Sequence, residues 1–526
     1  MSSESTITQA PLDGRAGGVP AASARPRTPS WALPTGTVLQ AIPLFGIFVM
    51  NFFMQTDPDL YWHLATGRYI VESGGLPQTD MFSYTAVGVP WVVLEWLGEV
   101  TIYLLYAWGG YITAVVFFGA AIALAFFFVL RSLRLLGLGA IPSTMITFWS
   151  AAISTSGWSV RPQALSYLFF SLFLYLLLRS RNRKMDRWIW LLPAAMVVWV
   201  NFHGSYVMGL MLLGLFLAGE CLSRFGQAWA GERPRALAGA ARLAVSSCWP
   251  LVRAYLPVSV ATVLSTAVNP EGFALLLYPL TYTSDRSYNF KYITEWQSPN
   301  FHEYYLLVVF GSSLVLLIAL ATRRPTDWAL LLPMVAVTVM SLQFVRTLPF
   351  YAIIFAPYLA VRATRAGSVP ASTTGGSRHA TRWNWLLMLL CFAAMGSTPF
   401  LSSDSQLGRE PRTDDYPVQG AQYIKDAGLT GHLFNTYHWG GFLLWKSYPG
   451  RSVFIDGRSD MYGSKLVDEY REVYRVAPNW KGVLDKYDVQ VVLVEKDIPL
   501  TVLLTASGEW KEAFRGPVES VLVRAR

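Results

Sequence analysis

The sequence predicts an α-helical polytopic membrane protein carrying a small α/β domain at its C-terminal end. Two observations predict it. In a chain of 526 residues, 53% are hydrophobic and 14% charged, and the mean hydropathy is +0.36, far too apolar for a soluble multidomain protein. The apolar residues also fall into long runs up to about residue 400, after which short alternating segments take over.

Residues 1–35 are rich in Ser, Ala, Pro, Gly and Arg with no apolar core before Val38. That composition predicts a disordered cytoplasmic tail and no cleaved signal peptide. Residues 36–400 follow as a transmembrane domain. Apolar runs near the roughly 20 residues needed to cross hydrocarbon stand at 38–54, 111–130, 140–157, 163–178, 188–201, 204–222, 249–267, 304–321, 327–342, 347–361 and 384–400. That makes about 11 transmembrane helices.

Lys and Arg should concentrate in alternate short loops on the cytoplasmic side. They do so in the tail, at Arg131 and Arg134, at Arg179 to Arg187, at Arg224 to Arg242, at Arg323 and Arg324, and at Arg362 to Arg382. The alternation closes if Glu95 to Trp108 is an amphipathic helix lying at the outer surface. The N-terminus is then cytoplasmic, and the net charge of +9 belongs to cytoplasmic loops and implies no nucleic-acid partner. The outer side receives a long first loop (55–110), a second loop (269–303) and residues 401–526.

Those last residues form the extracytoplasmic α/β domain. Val418 to Ala427 has helical periodicity; His432 to Tyr437, Val453 to Asp456, Val489 to Glu495 and Val518 to Val523 read as strands. Cys221, Cys248 and Cys391 lie in or beside spans, which leaves neither a disulfide framework nor zinc spacing.

The candidate chemistry sits in the outer parts. Asp57 and Asp59 flank Pro58 directly after the first span. Proline disfavours helix for the residue before it, and two acids in an extended segment suit either a general base with a neighbour that tunes it or a divalent cation, Mg or Mn. The plainer reading is an Asp-Pro turn capping the helix that starts near Leu60. His63 follows Asp59 by four residues. Arg68, Glu95 and Glu99 share this loop, with Glu99 read as part of a solvated face.

Elsewhere the outer cations are Arg161, Arg286, Lys291 and Arg346. A guanidinium matches phosphate oxygens through its planar fork, against snorkelling at the interface as the bland account. His203 lies in a tight turn, Glu295 beside Trp296 in the second loop, and Tyr437, Trp439, Asp456, Arg458 and Asp460 in the last domain.

This plan resembles the GT-C glycosyltransferases, the class of protein O-mannosyltransferases, lipid A aminoarabinose transferases and oligosaccharyltransferase catalytic subunits. It is most similar to bacterial multi-spanning members with the pattern D-x-D-x-x-W-H-L-A-T-G-R, here Asp57 to Arg68, followed by E-W-L-x-E (Glu95 to Glu99). Their distal G-G-x-x-x-W stands as Gly440 to Trp445 and F-I-D-G-R-x-D-x-Y-G as Phe454 to Gly463. Tyr437 to Gly441 is similar to the acceptor-reading Trp-Trp-Asp-Tyr-Gly of oligosaccharyltransferases, without its acid.

The resemblance implies a glycosyltransferase taking a sugar from a polyprenyl-phosphate-linked donor to a glycan, lipid or protein acceptor outside the cell. Asp57 would be the base, with Asp59 second choice and both the ligands of any divalent cation. Arg346, Arg161 and Arg68 would bind donor phosphate. His63, Glu95, His203, Glu295, Tyr437, Trp439, Asp456 and Arg458 would contact substrate or acceptor. The alternatives are a transporter or flippase of lipid-linked glycans, disfavoured by the absence of repeats, and a noncatalytic glycan-binding membrane protein.

Overall fold

The computed structural model describes residues 33–53, 57–183, 185–232, 237–276, 293–300, 302–303, 309, 311–316, 326–364, 378–402, 405 and 415–525. Arg286, Lys291 and most of the run at 304–321 lie outside them.

Among the described residues, seven helices are long and apolar enough to cross a membrane: Thr35–Phe53, Tyr111–Leu135, Gln163–Asn182, Tyr206–Gly231, Ala238–Ser265, Val345–Thr364 and Asn384–Leu401. Each coincides with an expected run. Two more expected spans are shorter apolar helices, Arg187–Phe202 and Trp328–Gln343, and Ala140–Ser154 has 15 residues. The protein is therefore a multi-pass membrane protein. Large apolar side chains such as Leu124, Phe127, Leu256 and Leu389 are left exposed on these helices, as a lipid-facing surface requires.

The basic helix ends gather at one end of the bundle. Asn182 donates to the Leu135 carbonyl (3.1 Å), and Arg181 grips Asp327 with both terminal nitrogens (3.0 and 2.8 Å) and Glu220 with Nε (3.0 Å). One guanidinium thus ties three helices together.

At the opposite end the first loop folds into two helices, α2 (Leu60–Ser73) and α3 (Trp96–Gly109). Helix α2 ends at Gly74 in the left-handed conformation, a conformation glycine adopts without the penalty a side chain brings. The two helices cross closely at Gly67, where a Cβ would collide with the Glu99 carbonyl and meet Tyr103 Cβ at 2.8 Å. A helix stands where the surface helix was expected, and it buries Glu99.

The last domain has a four-stranded sheet in the order β1-β2-β4-β3, with β1 (His432–Asn435) parallel to β2 (Val489–Glu495) and the remaining pairs antiparallel. Strand β4 is Glu519–Arg524 and β3 is Trp510–Arg515. Val453 to Asp456, expected as a strand, is not in the sheet. Its residues are buried, but its backbone pairs elsewhere: Val453 exchanges bonds with Phe82 (3.1 Å) and Tyr84 (3.2 Å) of the first loop. Asn435 holds Phe454 N–H (2.8 Å) and the Ile455 carbonyl (2.9 Å).

That segment is one of the places where the domain is seated on the first loop. The helix Gly440–Ser447 packs on α2, and a Cβ on Gly441 would lie 2.9 Å from Trp62 N. Tyr61 meets Tyr416 and Phe442 edge-on, at 5.0 and 5.2 Å. The apolar core is continuous from spans to domain.

Candidate active site

A cavity of about 1420 Å³ opens between the bundle and the last domain. Its floor is built by the start of α2. Asp57 Oδ1 accepts Asp59 N–H (3.0 Å), so the expected turn is real, and it leaves the other carboxylate oxygen for the cavity. Arg161, held between two spans, reaches that oxygen at 3.1 Å and also pairs with Asp59 and Glu295. Three carboxylates from two loops share one guanidinium.

Burial pushes the Asp59 carboxyl up to about 7, and repulsion from Asp57 and Glu295 adds to it, while Arg161 and Trp62 pull the other way. A cluster with two excess negative charges in a partly dry site holds a proton readily. Its Oδ1 side is closed by the last domain: a Cβ on Gly457 would strike Asp59 Oδ1 and come within 2.8 Å of Trp62 Nε1. For Glu295 burial works upward, but Arg161 and Arg346 outweigh it and hold the carboxyl below its ordinary range.

Behind this cluster lies a second group. Ser205 N–H donates to His203 Nδ1 (2.9 Å), so the ring proton sits on Nε2, which faces Glu95 at 3.2 Å. His63 lies between Glu95 (3.9 Å) and Glu99 (3.6 Å). Burial, with Arg161 nearby, holds both imidazoles well below their usual range, so both are neutral at pH 7. Glu99, read from sequence as solvated, is 1% exposed, because helix α3 turns it toward α2.

Arg346 stands on the far wall with its guanidinium 4.5 Å from the Trp296 ring centroid. Val345 N–H bonds to the Gln297 carbonyl (3.0 Å), which fixes this turn to the second loop. Asp57, Asp59, His63, Glu95, Arg161 and His203 thus line one cavity, together with Glu295, Arg346 and Tyr437.

Three expected site residues are placed elsewhere. Arg68 donates to the Tyr448 carbonyl (3.2 Å) and stacks on Trp445 (4.6 Å). Trp439 is buried and donates to the Asp415 carbonyl (2.9 Å). Asp456 is fully buried and grips Arg458 through both oxygens (2.8 and 2.6 Å). Arg458 touches the cavity wall but also bonds Asp80 (2.8 Å) and packs against Trp91 (4.5 Å). Sequence reasoning missed Trp62, Tyr470, Arg471, Tyr474 and Arg475, all of which line the cavity.

Among the described residues, no group of three His, Cys, Asp or Glu has the spacing to hold a metal. The site between Asp57 and Asp59 is filled by Arg161. The donor set fits a guanidinium rather than a bare dication.

A helical membrane bundle with a C-terminal α/β domain seated on its first loop is a fold that this chain shares with solved structures of an oligosaccharyltransferase and an arabinofuranosyltransferase. The archaeal oligosaccharyltransferase AglB from Archaeoglobus fulgidus, in complex with an inhibitory peptide and a dolichol-phosphate, superposes with a TM-score of 0.54 at 12% identity, over 88% of this chain and 69% of that one. Its apo form gives 0.52 at 13% identity over the same shares. The arabinofuranosyltransferase AftD from Mycobacteria gives 0.51 at 14% identity, over 94% of this chain and 42% of that one. No family model and no curated protein matches the sequence.

Proposed function

We propose that the protein is a glycosyltransferase that moves a sugar from a polyprenyl-phosphate-type lipid to an acceptor on the outer face of a bacterial inner membrane. The observation that carries this reading is the gathering of Asp57, Asp59, Arg161, Glu295 and Arg346 in one cavity at the rim of a GT-C bundle. Ionisable groups there are costly unless they serve a polar site.

The acceptor hydroxyl or amine gives its proton to Asp57 as its oxygen or nitrogen attacks the anomeric carbon. The bond from that carbon to the phosphate oxygen breaks, and phosphate leaves with the electron pair, so configuration inverts. Asp57 is taken as the base from its place in the first-loop motif. Its Oδ1 accepts Asp59 N–H (3.0 Å) and its Oδ2 meets Arg161 at 3.1 Å, while Asp59 has Oδ2 on Arg161 and Oδ1 against Gly457 and Trp62. Arg161 is already shared by three carboxylates, so stabilising the leaving phosphate falls to Arg346.

Asp57→Asn keeps the size of the side chain and removes its proton acceptor. Transfer should fall by about a hundred- to ten-thousand-fold while insertion and polyprenyl-phosphate binding persist. The assay is transfer from the lipid-linked sugar that accumulates in cells lacking the gene. Near wild-type transfer by Asp57→Asn removes the base assignment, and full activity of both Asp57→Asn and Asp59→Asn removes the enzyme reading.

A further inference from the structure

The cavity is divided by charge. Among the described residues, its five lining acids, Asp57, Asp59, Glu95, Glu99 and Glu295, come from the first and second loops. The last domain contributes no Asp or Glu to the lining, but it contributes Arg458, Arg471 and Arg475. Arg458 is neutralised by Asp456 and Asp80. The other two arise from the helical stretch that follows the break at Gly463 within Ser459–Tyr474, and from its cap.

Positions 467, 470, 471, 474 and 475 of that segment all line the cavity, the three- and four-residue spacing of a single helix face. Arg471 stands in the last helical turn and Arg475 is the cap, where the macrodipole favours cations. The dipole accounts for cations at a helix end, not for the end facing into a substrate-sized cavity. Tyrosines accompany them: Tyr470 stacks on Tyr474 (5.7 Å) and accepts Tyr437 N–H on its hydroxyl (2.9 Å). Glu495 sits behind this wall, held by Thr436 (2.8 Å) and facing His438 (3.7 Å). Tyr470 is buried between Phe434 (5.6 Å) and Tyr474 and so supports the wall, while the half-buried Tyr474 presents a ring beside forked cations, a pairing that suits an acid-bearing sugar chain.

We propose that this helix face is an acceptor subsite for an acidic glycan, with Arg471 and Arg475 taking its carboxylates and Tyr474 a sugar ring. The identification of the ligand as the acceptor rests on the transferase reading above. With its acidic groups on this wall, the glycan would turn a hydroxyl across the cavity to Asp57.

The test is binding, which needs no turnover. The full chain in nanodiscs is titrated with a tetrasaccharide of alternating uronic acids, a neutral tetrasaccharide, and polyprenyl phosphate. The wild type should prefer the acidic chain by about tenfold or more, with the preference shrinking as salt is raised. Arg471→Gln/Arg475→Gln should lose that preference and keep its affinity for polyprenyl phosphate. Arg475→Gln alone, at an exposed cap, should lose part of it with an unchanged melting temperature.

A preference that survives in the double variant, or is absent from the wild type, overturns the proposal. An equal loss of polyprenyl-phosphate affinity also overturns it, since the arginines would then hold the donor. If the wild type binds the acidic chain but not polyprenyl phosphate, the transferase reading fails and the glycan site stands.

Discussion

At Asp59, the proton that the fold retains has a measurable sign. The carboxyl titrates at about 7 in the folded protein because of burial first and its acidic neighbours second, against roughly 4 in an unfolded chain. Between those values the folded state binds a proton that the unfolded state has released, so stability falls as pH rises through the window. The contribution is fully present below about pH 4 and gone above about pH 7. The melting temperature of the wild type should therefore drop relative to Asp59→Asn between pH 5 and 7.5, and parallel curves would show that the carboxyl is not raised. This residue was legible in the sequence, as were Asp57, Arg161 and Arg346, because ionisable groups at a span boundary stand out against an apolar background. Arg471 and Arg475 were not. Their helix is amphipathic like any surface helix, and nothing local says that one face closes a cavity.

Among the elements, the junction between the first loop and the last domain carries the site. Arg458 is 1% exposed and ion-paired to Asp456 within its own loop and to Asp80 across the junction. Removing one member of a buried cluster strands the others, at a cost of about 3–5 kcal/mol. Arg458→Met should lower the melting temperature and open the junction to protease, with Asp80→Asn a milder version of the same loss. Unchanged melting of Arg458→Met would mean that the pair is structurally idle. Sequence reasoning took this loop for a ligand site, since acids, a guanidinium and Tyr462 within seven residues look alike whether they bind a ligand or each other. It read the helix Val418–Asp426 and strands β1, β2 and β4 from periodicity. It misread Val453 to Asp456, whose apolar pattern is that of a buried strand but whose backbone partners come from the first loop, some 370 residues away in sequence. Trp510–Arg515 went unread because its charged residues blur the alternation.

For the whole molecule, the distribution of charge between the two ends of the bundle sets the orientation. One end collects Arg131, Arg134, Arg179, Arg181 and Arg187, and the other holds the acidic cavity and the last domain. Basic loops stay on the cytoplasmic side during insertion, so the orientation proposed here has the cavity outside, where a lipid-linked donor entering laterally between spans would meet an acceptor that never enters the cell. In that orientation the basic ends would sit against the anionic cytoplasmic leaflet, whereas the acids at the mouth are compensated only in part by Arg161. Orientation can be tested with single cysteines in a chain whose Cys221, Cys248 and Cys391 are replaced. Val418, exposed at the start of the last domain's first helix, and Arg183, exposed at a basic helix end, are suitable sites. A membrane-impermeant maleimide should label Val418→Cys in intact cells and reach Arg183→Cys after lysis. The reverse pattern would put Asp57 on the cytoplasmic side, where donors built from nucleotide sugars are at hand, and the outer-face transferase reading would fall with the orientation.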